Sequence, residues 1–154
     1  RVSCDLSFLE KEYVSILKEN SSNAKIELAE QYLNYSLSVK KNDLKREFVY
    51  VATKYLTEVE VGEKTNPLLA KKEKQRLELL MAYKDVINQD FEKLVVKLNK
   101  IELNTIVDIN KSLFYFVNYT TNQKLRKNEK AKYWYYKLKE RKDFDVYYLL
   151  SKKV

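Results

Sequence analysis

The residues best suited to chemistry in this sequence lie between Gln123 and Val154, where basic side chains and aromatic rings interleave. Eleven Lys and Arg residues there oppose four acids, a balance of +7 in a chain whose net charge is +8, so the rest of the chain is nearly neutral. Lys124, Arg126, Lys127, Lys130, Lys137 and Arg141 supply the cations, and Tyr133, Trp134 and Tyr135 supply rings in the same stretch. Three chemistries suit such a mixture. Cations can meet phosphates while rings stack on bases, or rings can settle at lipid headgroups. Alternatively, the rings pack internally and the cations form a solvated or partner-facing surface. At helical spacing Trp134, Leu138 and Arg141 share one side, and Tyr133, Tyr136 and Glu140 a neighbouring side. Neither side is purely basic or purely apolar, which favours the third reading.

Carboxylates recur in close pairs, Glu10/Glu12, Glu27/Glu30 and Glu58/Glu60, a pattern that acid-base or glycosidic chemistry would use. They sit among lysines with no histidine anywhere in the chain, so a solvated helix face is the simpler account. The absence of histidine removes the commonest general base and metal ligand, and one cysteine builds neither a thiolate metal site nor an internal disulfide. A single glycine leaves no Gly-rich phosphate cradle. The expectation is therefore a non-enzymatic protein with no catalytic residues, cofactor or metal.

At 154 residues, with 45% hydrophobic and 34% charged residues, the chain is long enough for its own core, and no apolar run approaches the roughly 20 residues of a membrane span. One glycine and one proline argue against turn-rich β folds, so the expected class is all-α: an antiparallel helical bundle within a single domain, 1–154. Helical spacing of apolar residues places helices over 5–20, 24–39 and 44–61. Leu44, Phe48, Val51, Tyr55 and Val59 form one face of the third, Asp43 stands at its N-cap, and Gly62 falls where a left-handed C-cap belongs. Pro67 marks the first position of a long helix over about 67–119, since proline lacks only an N–H that would be unpaired there. Its seam is Leu77, Leu80, Ile87, Phe91, Leu94, Leu98 and Ile101. Unbroken, that helix would be roughly 80 Å long, and the polar stretches Asn88-Gln89-Asp90 and 104–110 are the places where it could break. Beyond Ile101 the apolar residues crowd most of its circumference, with Phe114, Phe116 and Tyr119 at that end, ahead of Thr120-Thr121-Asn122 as the stop. Helices over 123–141 and 143–152 follow, the last capped by Asp143.

The alternating seam of 77–101 resembles the spectrin-like antiparallel three-helix bundle. The helix pair within 24–59 resembles a tetratricopeptide hairpin, which implies an adaptor, although Tyr35 and Glu47 stand where that family has small residues. Val2-Ser3-Cys4 resembles the end of a bacterial lipoprotein signal, which implies lipidation of Cys4. A Lys-, Asn- and Tyr-rich, Gly-poor, histidine-free helical chain with an N-terminal Ser-Cys is similar to the helical envelope and surface proteins of spirochaetes, and its bias is that of an AT-rich genome.

That resemblance implies a protein-protein interaction domain in a bacterial cell envelope, periplasmic or outer-surface, with a cytoplasmic place as the alternative. Its partner would be another protein with an acidic surface, and a membrane would be met only through a lipid anchor at Cys4. Docking residues are expected at Phe114, Phe116, Tyr119, Lys124, Arg126, Lys127, Lys130, Tyr133, Trp134, Tyr135, Lys137 and Arg141. The rival expectation is binding of an anionic polymer, nucleic acid or sulfated polysaccharide, by the same cations.

Overall fold

A computed structural model describes residues 21–141 and 145–153; among these the elements are helices, with no strand. The all-α class follows as expected. The helix expected over 5–20, Cys4 and the Asp143 cap lie outside the described residues. The chain divides into two compact units, Arg1–Met81 and Ala82–Val154.

In the first unit, α1 (Ser21–Ser38) and α2 (Asn42–Thr65) are joined by three residues and pack along each other. Partner numbers rise on α2 as they fall on α1, which makes the pair antiparallel. Tyr35 meets Phe48, Tyr32 meets Phe48 and Tyr55, and Lys25 pairs with Glu58 at 3.1 Å. Leu28, Ala29, Leu33, Ala52 and Leu56 are sealed between the helices. Each fully buried leucine contributes about 1.5–3 kcal/mol over leaving it in water. The buried face of α2 centres on Phe48, Ala52, Leu56 and Val59, whereas Leu44, Val51 and Tyr55 lie at its margin. Arg76, early in α3 (Lys71–Ile87), grips Glu30 of α1 through Nε at 3.0 Å and through a terminal nitrogen.

Three local expectations for this region change. Asp43 is the second residue of α2 rather than its cap and pairs with Arg46. Gly62 lies inside α2, without a positive φ, and its carbonyl accepts from Asn66 N at 2.9 Å. Pro67 stops α2 instead of starting the next helix. A residue before proline is pushed out of the helical region, and Asn66 has φ −148° and ψ 85°. The Glu63 carboxylate then accepts from Leu68 N at 2.7 Å and Leu69 N at 2.9 Å, tying the connection to the last turn of α2.

The expected long helix is three helices, the first of which runs from the first unit into the second. After α3 come α4 (Phe91–Asn99), a 3-10 turn (Leu103–Thr105) and α5 (Asp108–Lys124), then α6 (Asn128–Lys139) and α7 (Val146–Ser151). The first break falls at Asn88-Gln89-Asp90. Gln89 sits at φ +60°, Asp90 N donates to Asp85 O at 2.9 Å and Gln89 N to Val86 O at 3.1 Å. This is the Schellman ending that usually takes glycine. α5 ends the same way, with Arg126 at φ +60°, Lys127 N bonded to Asn122 O and Arg126 N to Gln123 O. Folding back gives the crowded surface of α5 partners on several sides. Phe116 is fully buried between Tyr83 at 5.6 Å and Tyr147 at 5.3 Å, while Leu94, Leu113, Val117 and Leu138 complete the core.

Candidate functional site

α6 carries the aromatic-basic sequence, and its geometry sorts those residues into different roles. Ala131 and Leu138 are buried against the unit. Trp134 stands beside them on Phe114 (5.5 Å, edge-on) and Tyr115 (5.8 Å), with Tyr133 against its other side at 4.9 Å. Tyr133 is 50% exposed, and Lys137 places its ammonium 5.4 Å from that ring. The wall so formed is held by edge-to-face contacts that fix ring orientation beyond simple burial.

Opposite this wall runs α4, so that α4, the end of α5 and the start of α6 enclose a cleft of about 350 Å³. Val95, Leu98 and Leu125 give it apolar lining, and Tyr133 and Trp134 its aromatic side. Asn99, Asn118, Thr121 and Asn122 add amides and a hydroxyl, and Lys127 and Lys130 bring two cations. Asn118 Nδ2 donates to Phe114 O at 2.9 Å and Asn122 Nδ2 to Asn118 O at 2.7 Å, so both amides are held by their nitrogens with their oxygens left as acceptors. α4 is fixed in turn by Lys97, whose Nζ lies 2.7 Å from Asp85 Oδ2 at the end of α3.

A second, more open cleft of about 510 Å³ lies on the other side of α6, lined by Tyr119, Tyr135, Lys132 and Lys152 among others. Tyr119 and Tyr135 are 5.6 Å apart. The hydrogen bond between Tyr135 and Tyr148, and then partial burial, hold the Tyr135 phenol above its ordinary pKa; burial does the same for Tyr119. Both rings therefore stay protonated donors at any physiological pH.

Compared with known proteins, the chain matches no family model, no curated protein and no solved structure. Four of the residues singled out by sequence, Lys127, Lys130, Tyr133 and Trp134, converge on the first cleft, and two, Tyr119 and Tyr135, on the second. Lys124 is exposed in the last turn of α5, and Arg126 serves the backbone as the left-handed residue that ends it. Phe114 and Phe116 are buried, so their rings hold the unit together and present no docking face.

Arg141 is engaged within the fold. Its guanidinium donates to Asp108 Oδ1 at 2.9 Å, Asp108 O at 3.1 Å and Ser112 Oγ at 3.0 Å, and Ser112 Oγ donates on to Asp145. Asp145 caps α7 by accepting from Tyr147 N and Tyr148 N. The bond from Arg141 holds the Asp108 carboxyl below its usual range and raises the guanidinium's own pKa. The residues that sequence reasoning missed are Val95, Leu98 and Asn99 on α4, with Asn118, Asn122 and Leu125 at the end of α5. Among the described residues, no group of three or more His, Cys, Asp or Glu could hold a metal ion, and no helix is long and apolar enough to cross a membrane.

Proposed function

We propose that this chain is a non-enzymatic protein-protein interaction domain of a bacterial cell-envelope or surface protein, docking its partner at the cleft between α4 and α6. The observation that carries the reading is the convergence of Lys127, Lys130, Tyr133 and Trp134 with apolar side chains of α4 in one concave site. Concavity, a fixed aromatic wall and a few polar groups are what a small recognition site needs, and aromatic side chains are enriched where binding energy concentrates. The envelope assignment rests on the likeness of the sequence to spirochaetal surface proteins and on Ser3-Cys4. On that reading the native N-terminal peptide carries acyl chains on Cys4, which its mass reads directly.

A second reading, an anionic-polymer binder, draws on the other cleft, where Lys132 and Lys152 flank Tyr119 and Tyr135. Site-specific photo-crosslinking in the producing cells separates the two. A photoreactive phenylalanine at Tyr133 gives a discrete protein adduct, whereas the same group at Tyr50, 70% exposed on α2, does not. Equal adducts from both positions, or adducts to nucleic acid or polysaccharide alone, would sink the docking reading.

A further inference from the structure

We infer that the occupant of the α4–α6 cleft is an acidic segment of a partner polypeptide, carrying an apolar side chain that enters between Leu98, Leu125 and Trp134; this rests on the docking reading above. Three features of the lining select it. No carboxylate lines the cleft, while Lys127 and Lys130 do. They stand at the start of α6, whose N-cap residue Lys127 makes no side-chain cap, so the partial positive charge of the first turn adds to theirs. An anion is therefore favoured at that end.

Asn118 and Asn122 each donate an amide N–H to a backbone carbonyl, and an amide oxygen on each is suited to accept from the N–H groups of a peptide. Three rings already pack around Trp134, leaving little free face on which a base could stack, whereas Leu98 and Leu125 in the same lining suit an apolar side chain. At about 350 Å³ the cleft lies near the small end of ligand pockets, about 300–1,000 Å³. It fits one or two side chains with a short run of backbone, rather than a folded surface.

The test is selection of a random 12-residue peptide display library on the whole chain, with the sole tryptophan, Trp134, as reporter. The expected consensus is an apolar or aromatic residue flanked by Asp or Glu. Peptides of that consensus shift Trp134 emission, lose at least tenfold in affinity to K127E/K130E, and weaken only severalfold from 50 to 500 mM salt. Circular dichroism of the exposed-site variant checks that it is folded. Neutral or basic peptides that shift Trp134 and are lost in Leu125→Asp overturn the acidic occupant and leave the docking reading standing. If no peptide is enriched, or binding ignores both variants, both fall. Should a heparin oligosaccharide or a DNA oligonucleotide be the only ligand that K127E/K130E abolishes, the occupant is an anionic polymer and the inference is overturned.

Discussion

Replacing Lys97 by methionine tests how the cleft wall is held. Asp85 has a side chain only 3% exposed, with Lys97 Nζ at 2.7 Å and Lys84 Nζ at 3.8 Å. At an effective dielectric of 20 the Lys97 contact corresponds to a gross attraction of about 6 kcal/mol, most of which offsets the desolvation of the carboxylate. Methionine keeps the length and apolar stem of the side chain and removes the charge. Removing one partner of a buried pair typically costs about 3–5 kcal/mol. Here Lys84 remains and Lys97 is itself a third exposed, so the expected loss is about 2–3 kcal/mol. For a chain of this size that lowers the melting temperature by about 4–12 °C. Urea unfolding followed by Trp134 fluorescence is the assay, because the only tryptophan reports on the second unit. The double variant D85N/K97M no longer strands a buried charge and should lose less than the two single variants added together, by at least about 1 kcal/mol. Because Lys97 anchors the helix that carries Leu98 and Val95, K97M should also weaken ligands of the cleft without touching its lysines. A loss under about 0.5 kcal/mol with additive singles would refute the reasoning: Asp85 would then be solvated in solution and α4 held by other contacts.

Glycine at either left-handed helix end, Gln89→Gly or Arg126→Gly, should raise stability by about 0.5–1 kcal/mol in urea, since a side chain there costs about 1–2 kcal/mol; a loss would mean that the side chains hold contacts of their own. Phe116→Ala should cost about 3–5 kcal/mol because the ring is fully buried, whereas Tyr133→Ala should cost under about 1 kcal/mol while reducing partner capture. Equal stability losses would place Tyr133 in the core. Glu63 is held below the ordinary carboxylate range, first by Leu68 N. Its contribution is therefore present above the unfolded carboxylate pKa and disappears as pH falls through the lower folded value. Between pH 6 and pH 3.5 the wild type should lose more of its urea midpoint, by circular dichroism, than Glu63→Ala does. Tyr119 and Tyr135 have raised pKa values. Their contribution is full below the unfolded value of about 10 and is lost above it, so Tyr135→Phe should flatten the alkaline limb of stability.

The helices of the first unit were legible because their apolar spacing is strong: Ile26, Ala29 and Leu33, then Phe48 and Val59, are all buried. Sequence placed the face of α2 slightly off: the chosen stripe ran through Val51 and Tyr55, which are half-buried, whereas Ala52 and Leu56, one position further on, are the fully buried residues. Glycine and proline misled for the same reason that they usually inform. With one of each in the chain, Gly62 rides inside a helix, while the left-handed ends fall to Gln89 and Arg126, which carry no sequence mark. On α6, Lys127, Lys130, Tyr133 and Trp134 could be found because they are neighbours on one segment. Sequence alone could not divide the rings between core and cleft, since Phe114 and Trp134 touch across two helices.

The cleft itself follows from the break that sequence left undecided. On a continuous helix Leu98 and Asn122 would stand about 36 Å apart, at 1.5 Å for each of the intervening residues. In the folded chain both line one cavity of about 350 Å³. The 3-10 turn at Leu103–Thr105 and the extended residues Ile106 and Val107 redirect the chain by letting Ile106 N bond Leu103 O in place of a helical partner. Nothing at those positions forbids a helix. What decides is the surface of α5, where Asn110 and the run from Ser112 to Asn118 are buried, more than one straight helix packed on a single side could cover. Burying it takes α4 on one side with α6 and α7 on others, and bringing α4 back against α5 sets Leu98 and Leu125 in the lining of one cleft. The cleft is thus a by-product of burying α5 on several sides, and its lining residues come from segments whose sequence shows no shared pattern.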